Sequence, residues 1–231
     1  MTHPPLVAVA HGSRDPAAAR TTETLLAEVR RQRPGLDVHV SYLDHVSPRL
    51  SEVLAVLDDA VVVPLLLGAA YHSRIDVPAA IADAGAVAVQ ADVLGPDPRL
   101  LDALERRLSE AGVPIGDRDT AVVLAAAGST DDTAVADVRS LAQAWAGRGW
   151  WAVEPAFASA ARPTVEEAVE TLRARGAPGI AVASYLLFPG LFADRLNEAG
   201  ADVTSGVLGD APEVAGLVLA RYDAAVNRPE A

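Results

Sequence analysis

The sequence predicts an α/β fold made of two homologous halves, each a four-stranded parallel sheet flanked by helices. Three observations carry this. Short apolar runs alternate with helical patterns of ten or more residues, as parallel βαβ units require. The pattern then runs a second time: "LVAVAHGSRDP" returns as "AVVLAAAGSTDD", "HVSYLDHVSPRLSEVLAVL" as "EPAFASAARPTVEEAVETL", and "VLGPDPRL" as "VLGDAPEV". With Gly128 laid on Gly12, Pro163 on Pro48 and Val207 on Val93, the offsets are 116, 115 and 114, three landmarks in order at nearly one spacing. Finally, 231 residues with 51% hydrophobic and only 4% aromatic side chains describe a globular chain whose core is Val, Leu, Ala and Ile.

The elements of the first half follow in order. Leu6–Ala10 is an apolar run and a buried strand. A helix follows, with Asp15 as N-cap, Pro16 at its first position and an apolar face through Leu25, Leu26 and Val29. Leu36–Leu43 alternates and reads as the second strand, Ser47–Asp59 as the second helix. Ala60–Leu67 is the third strand, Asp76–Ala84 the third helix, Ala86–Leu94 the fourth strand, and Asp97–Gly112 a closing helix. Val113–Val122 holds Pro, Gly and three charges and reads as a linker. The domains are therefore placed at 1–115 and 119–231.

Composition excludes much chemistry. There is no cysteine, so no disulfide, thiolate nucleophile, Cys-type zinc site or cysteine-ligated iron–sulfur cluster is available. All 19 basic residues are arginines, which removes Schiff-base chemistry and a Walker lysine. Neither GxGxxG nor GxxxxGK(S/T) occurs, so no nucleotide cofactor is expected, and the absence of GxSxG points away from a serine hydrolase. A net charge of −12 points away from nucleic acid. The longest apolar stretch, Ala60–Tyr71, is about a dozen residues, too short for a bilayer. "MTHPPL" does not read as a signal peptide, and the expected location is the cytoplasm, with no membrane partner.

All five histidines (His3, His11, His39, His45, His72) lie in the first half. His11 ends the first strand, Asp44 ends the second, and His72 follows the third by a few residues. Ligands of an open parallel sheet bind at the carboxyl ends of its strands. With a flavodoxin-like order 2-1-3-4, His11 and His72 face one another and Asp44 lies to one side. Two imidazoles and a carboxylate with open positions suit a divalent transition metal. The second half has Ala127 for His11, Ser159 for Asp44 and no histidine near "YLLFPGLFAD". Capping roles compete for each residue alone: Asp44 can cap a helix, and a histidine after a strand is commonly a hydrogen-bonding group. His3, His39 and His45 are not read as ligands: His3 falls in a terminal stretch, His39 inside a strand, and His45 beside Asp44 as a solvated or supporting neighbour. Arg14, Arg49 and Arg74 follow the candidate residues and can clamp carboxylates.

"AVAHGSRDP", "SYLDHVSPRL" and "VVVPLLLGAAYHSRIDVP" resemble the signature blocks of the class II chelatases, and more narrowly the sirohydrochlorin chelatases of the CbiX and SirB type, in their two-repeat form. The resemblance spans the whole chain. It implies insertion of a divalent metal, Fe²⁺ or Co²⁺ and in a third reading Ni²⁺, into the tetrapyrrole sirohydrochlorin without ATP. It maps the two metal-binding, proton-accepting histidines onto His11 and His72. Asp44 stands where many members have a glutamate, so its carboxylate is one methylene shorter. Beside the resemblance, Arg14 and Arg74, with their neighbours Ser13 and Ser73, are read as orienting the substrate, and Phe188, Gly190 and Phe192 as apolar wall of an expected cleft between the halves, with Tyr185 to Leu187 as core. The fused repeat makes a pseudo-dimer, so the chain is expected to be a monomer. The reading from another class is a protein that holds metal or tetrapyrrole without metallating it.

Overall fold

A computed structural model describes residues 3–68 and 75–228. Two four-stranded parallel sheets are present. The first contains β1 (Leu6–Ala10), β2 (Val38–Tyr42), β3 (Asp59–Pro64) and β4 (Val87–Gln90), in the order β2-β1-β3-β4. The second contains β5 (Thr120–Ala126), β6 (Ala152–Phe157), β7 (Gly179–Tyr185) and β8 (Val203–Thr204), in the order β6-β5-β7-β8. The flavodoxin-like 2-1-3-4 order is found in both sheets.

The first unit is built on β1, every residue of which is buried. Alternation along β1 and β3 sends Val7, Val9, Ala60 and Val62 to one face, against Leu50, Val53, Leu54 and Val77 of the helices α2 (Leu50–Leu54) and α3 (Val77–Ala84). The opposite face is covered by α1 (Pro16–Gln32), with Leu25, Leu26 and Val29 buried. Asp15 caps α1 as expected: its carboxylate accepts from the Ala17 N–H at 2.8 Å, with Pro16 at the first helical position. The second helix is much shorter than the expected Ser47–Asp59. The chain from Leu43 to Pro48 stays in bends, Arg49 makes an isolated parallel bridge to Tyr42, and the helix begins at Leu50, with the Glu52 carboxylate accepting from the Arg49 N–H at 2.6 Å. β3 stops at Pro64 and β4 at Gln90, both short of the apolar runs that suggested them. Burial continues past each, through Leu65 and Leu94, because apolarity reports burial and not sheet pairing.

The compact units do not share the boundaries of the sequence repeat. One unit is Met1–Gly95 with Gly209–Ala231; the other is Pro96–Leu208. The helix that closes the first repeat, α4 (Arg99–Glu110), belongs to the second unit, with α5 (Asp132–Ala146), α6 (Val165–Ala174) and α7 (Leu191–Asn197). The helix that closes the second repeat, α8 (Pro212–Val226), belongs to the first. The 1–115 and 119–231 division thus follows the repeated sequence, whereas the packed cores exchange their last helices. Matching contacts hold each helix. In the first unit the Arg221 guanidinium donates to the carbonyls of Val93 (2.8 Å) and Leu94 (3.0 Å). In the second, Arg107 donates to the Leu208 carbonyl at 3.0 Å. Arg107 and Arg221, like Leu94 and Leu208, are 114 residues apart, one repeat. Among the described residues, no helix is long and apolar enough to cross a membrane.

Candidate metal-delivery edge

The site is assembled by backbone before side chains. β1 ends at Ala10, and His11 follows it at the carboxyl edge of the first sheet. There the Asp44 N–H donates to the His11 carbonyl at 2.8 Å, and the Leu43 N–H to that of Ala10 at 3.0 Å. These bonds tie the loop after β2 to the loop after β1. Gly12 makes the approach possible: it has φ +94°, and a Cβ there would lie 1.9 Å from the Asp44 carbonyl oxygen. The second sheet repeats the device without the chemistry. Gly128 has φ +93°, its Cβ would meet the Ser159 carbonyl oxygen at 1.8 Å, and Ala127 and Ser159 replace His11 and Asp44.

His11 is exposed at this edge. Asp44 is exposed too, and its carboxylate is engaged locally. Oδ1 accepts from the His45 N–H at 2.7 Å and from the Arg49 guanidinium at 3.1 Å. The backbone N–H of His45, followed by Arg49, holds the Asp44 carboxyl below the usual aspartate range. Arg49 also donates to the Leu43 carbonyl at 2.7 Å. It therefore braces the loop, which is a different task from the clamp considered for it.

His45 is the residue that sequence reasoning set aside and the structure brings in. Its ring stands edge-on to the His11 ring, with centroids 6.1 Å apart and planes at 88°. Its Nε2 is 3.6 Å from Asp44 Oδ2. The backbone at His45 is left-handed, φ 62°, and so is that of its counterpart Ala160, φ 59°. The fold imposes the turn in both halves, and only one half places an imidazole on it. The comparison that singled out His11 would have singled out His45 had it been applied there. His39 lies within β2, its Nε2 3.0 Å from Asp37 Oδ2, and His3 precedes β1.

The Ser13 hydroxyl accepts from the Asp15 N–H at 3.1 Å, and Ser129 does the same for Asp131 at 3.0 Å. A shared turn therefore accounts for this serine in both halves. Arg14 is exposed. His72, Ser73 and Arg74 lie outside the described residues. Phe188 and Gly190 sit half-buried in the second unit, between β7 and α7, while Tyr185, Leu186 and Leu187 are core. Among the described residues, no three His, Cys, Asp or Glu side chains are arranged to hold a metal ion.

Comparison with known proteins agrees with this architecture. The CbiX family model matches residues 5–111 and again 121–225, and the chain belongs to the CbiX family. A sirohydrochlorin cobaltochelatase of Priestia megaterium is 30% identical over 203 residues, covering 82% of this chain and 66% of the relative, just under two thirds of its length. A sirohydrochlorin ferrochelatase of the same organism is 29% identical over 204 residues, covering 82% of this chain and 75% of the relative. The structure of SirB from Bacillus subtilis with Fe³⁺ superposes with a TM-score of 0.82 at 22% identity, over 98% of this chain and 96% of that one, and shares the fold.

Proposed function

We propose that this chain is a sirohydrochlorin chelatase that inserts a divalent metal, Fe²⁺ or Co²⁺, into the macrocycle without ATP. Membership of the CbiX family and the two chelatase relatives support the reaction class. The observation that carries the reading for this chain is the sheet edge where His11 and the Asp44 loop are bonded together, with both side chains open to solvent.

Metallation has two requirements: the metal sheds water, and the ring loses its two pyrrole protons. A neutral imidazole can do both tasks in turn, holding the cation and then taking a proton, because it titrates near neutral pH. His11 and His72 are assigned these roles, and Asp44 offsets the cation's charge through the loop. A site with few protein ligands suits release better than a closed cage. Arg14 and Arg74, each following a serine in the sequence (Ser13, Ser73), are assigned to orient the carboxylate-rich rim of the substrate. The metal and the tetrapyrrole are substrates, and the reading needs no nucleotide or iron–sulfur cluster. The tandem repeat, an internal pseudo-dimer, favours a monomer.

The test is spectrophotometric. Purified protein, sirohydrochlorin and each metal in turn should change the absorbance faster than metal alone. His11→Ala should lower that rate at least a hundredfold, about 2.7 kcal/mol of transition-state stabilisation. A wild-type rate no faster than the metal-only control would instead indicate a binding protein. The curated relatives at 30% and 29% identity divide between cobalt and iron, so the preferred metal is decided by the same assay.

A further inference from the structure

We infer that His45 is a metal-binding group of this edge, partnering His11, and that Asp44 serves chiefly to orient His45. The inference rests on the reading of the β1–β2 edge as the place where metal is delivered. Two imidazoles sharing one cation at about 2.1 Å per nitrogen have ring centroids roughly 5–6.5 Å apart, for bond angles from tetrahedral to linear. The 6.1 Å between the His11 and His45 ring centroids falls within that span.

The Asp44 carboxylate is placed for a different task. One oxygen is taken by the His45 N–H and the Arg49 guanidinium. The other faces His45 Nε2 at 3.6 Å. A carboxylate behind a ligating imidazole fixes the ring and raises its basicity. The short side chain fits this division of labour: Asp44, held back by Arg49, leaves the forward position to the imidazole next to it. The repeat supplies the control, because Ala160 adopts the same left-handed backbone with no ring at all. The histidine is therefore not required by the turn, and His45→Ala is expected to fold.

The experiment is anaerobic Co²⁺ titration of the full chain, followed by the visible absorption of the bound ion and by paramagnetically shifted imidazole N–H resonances. Wild type, His11→Ala, His45→Ala and Asp44→Asn are compared, with circular dichroism to confirm folding. His45→Ala should raise the Kd at least tenfold and remove one shifted imidazole resonance. Asp44→Asn should weaken binding while keeping that resonance. Unchanged resonances and a Kd within twofold in His45→Ala, with His11→Ala still losing the metal, would overturn the role of His45 and leave the edge intact. Failure of wild type to bind Co²⁺, or no loss in His11→Ala, would overturn the edge and the inference together.

Discussion

Gly12 shows how one missing Cβ places two functional groups. Its amide plane passes so close to the Asp44 carbonyl that any side chain would need the β2 loop to move. Gly12→Ala should therefore lower stability by about 2–4 kcal/mol, combining the left-handed backbone with the steric clash, as read from the urea midpoint. The same substitution should weaken Co²⁺ binding, because His11 and the Asp44 loop separate. Gly128→Ala should cost similar stability and leave metal binding unchanged, since the second copy carries no donors. That His11 and Asp44 share one sheet edge was legible from the ends of their strands. The pairing of His11 with His45 was not. His45 lies beyond the end of β2, where strand periodicity no longer sets side-chain direction, and its left-handed backbone accompanies the approach of its ring to that of His11.

At the level of elements, the closing helices are held by polar contacts as well as by apolar faces. In the second unit Glu105 of α4 is buried, and its carboxylate accepts from Trp145 Nε1 at 2.8 Å and from Arg148 at 3.1 Å. Glu105→Ala leaves the indole N–H of α5 and the guanidinium without that acceptor, and should cost about 2–3 kcal/mol in urea unfolding. In the first unit Asp223 of α8 forms a two-pronged ion pair with Arg33, which follows α1, and that guanidinium lies over the Tyr222 ring at 5.9 Å. Hydrogen bonding to Arg33 is the main cause that lowers the Asp223 pKa. A carboxyl whose pKa is lowered by folding stabilises above its unfolded value and loses that contribution as pH falls through the lowered one. The thermal unfolding midpoint of wild type should therefore fall on acidification through and below the ordinary aspartate range. Asp223→Asn should be less stable at neutral pH and show a smaller loss over the same acid window. Strand positions and the capped start of α1 could be read from apolar runs and from Asp15-Pro16. The length of α2 could not, because Ser47–Asp59 has helical spacing throughout and the bonds of the Asp44–Arg49 loop to β1 take precedence.

Across the whole molecule, the exchange of α4 and α8 means that the unit carrying His11, Asp44 and His45 is completed by the last helix of the chain. Val214, Ala215, Leu217, Val218, Leu219 and Tyr222 of α8 are buried, and the Tyr222 hydroxyl donates to the Pro4 carbonyl at 2.6 Å, next to the start of β1. Removing residues 209–231 should abolish Co²⁺ binding although no site residue is lost, because a large apolar face of the first sheet is uncovered. The three tryptophans, Trp145, Trp150 and Trp151, all lie in the second unit. Their near-ultraviolet circular dichroism should persist in the truncated chain, so loss of the first unit can be separated from loss of both.

The sequence by itself determined the α/β class, the tandem repeat and the polar character of one sheet edge; the 2-1-3-4 strand order was assumed by analogy and is given by the structure. Each is a local or periodic property: apolar runs, caps, a glycine after a strand, and landmarks one repeat apart. The tertiary structure alone decided which core each closing helix enters and which side chain meets His11. The amphipathic faces of α4 and α8 record that they bury an apolar stripe but not against which sheet, since the two sheets offer nearly the same surface. The meeting of His11 with His45 depends likewise on a turn whose φ angle is set by contacts between loops far apart in the chain.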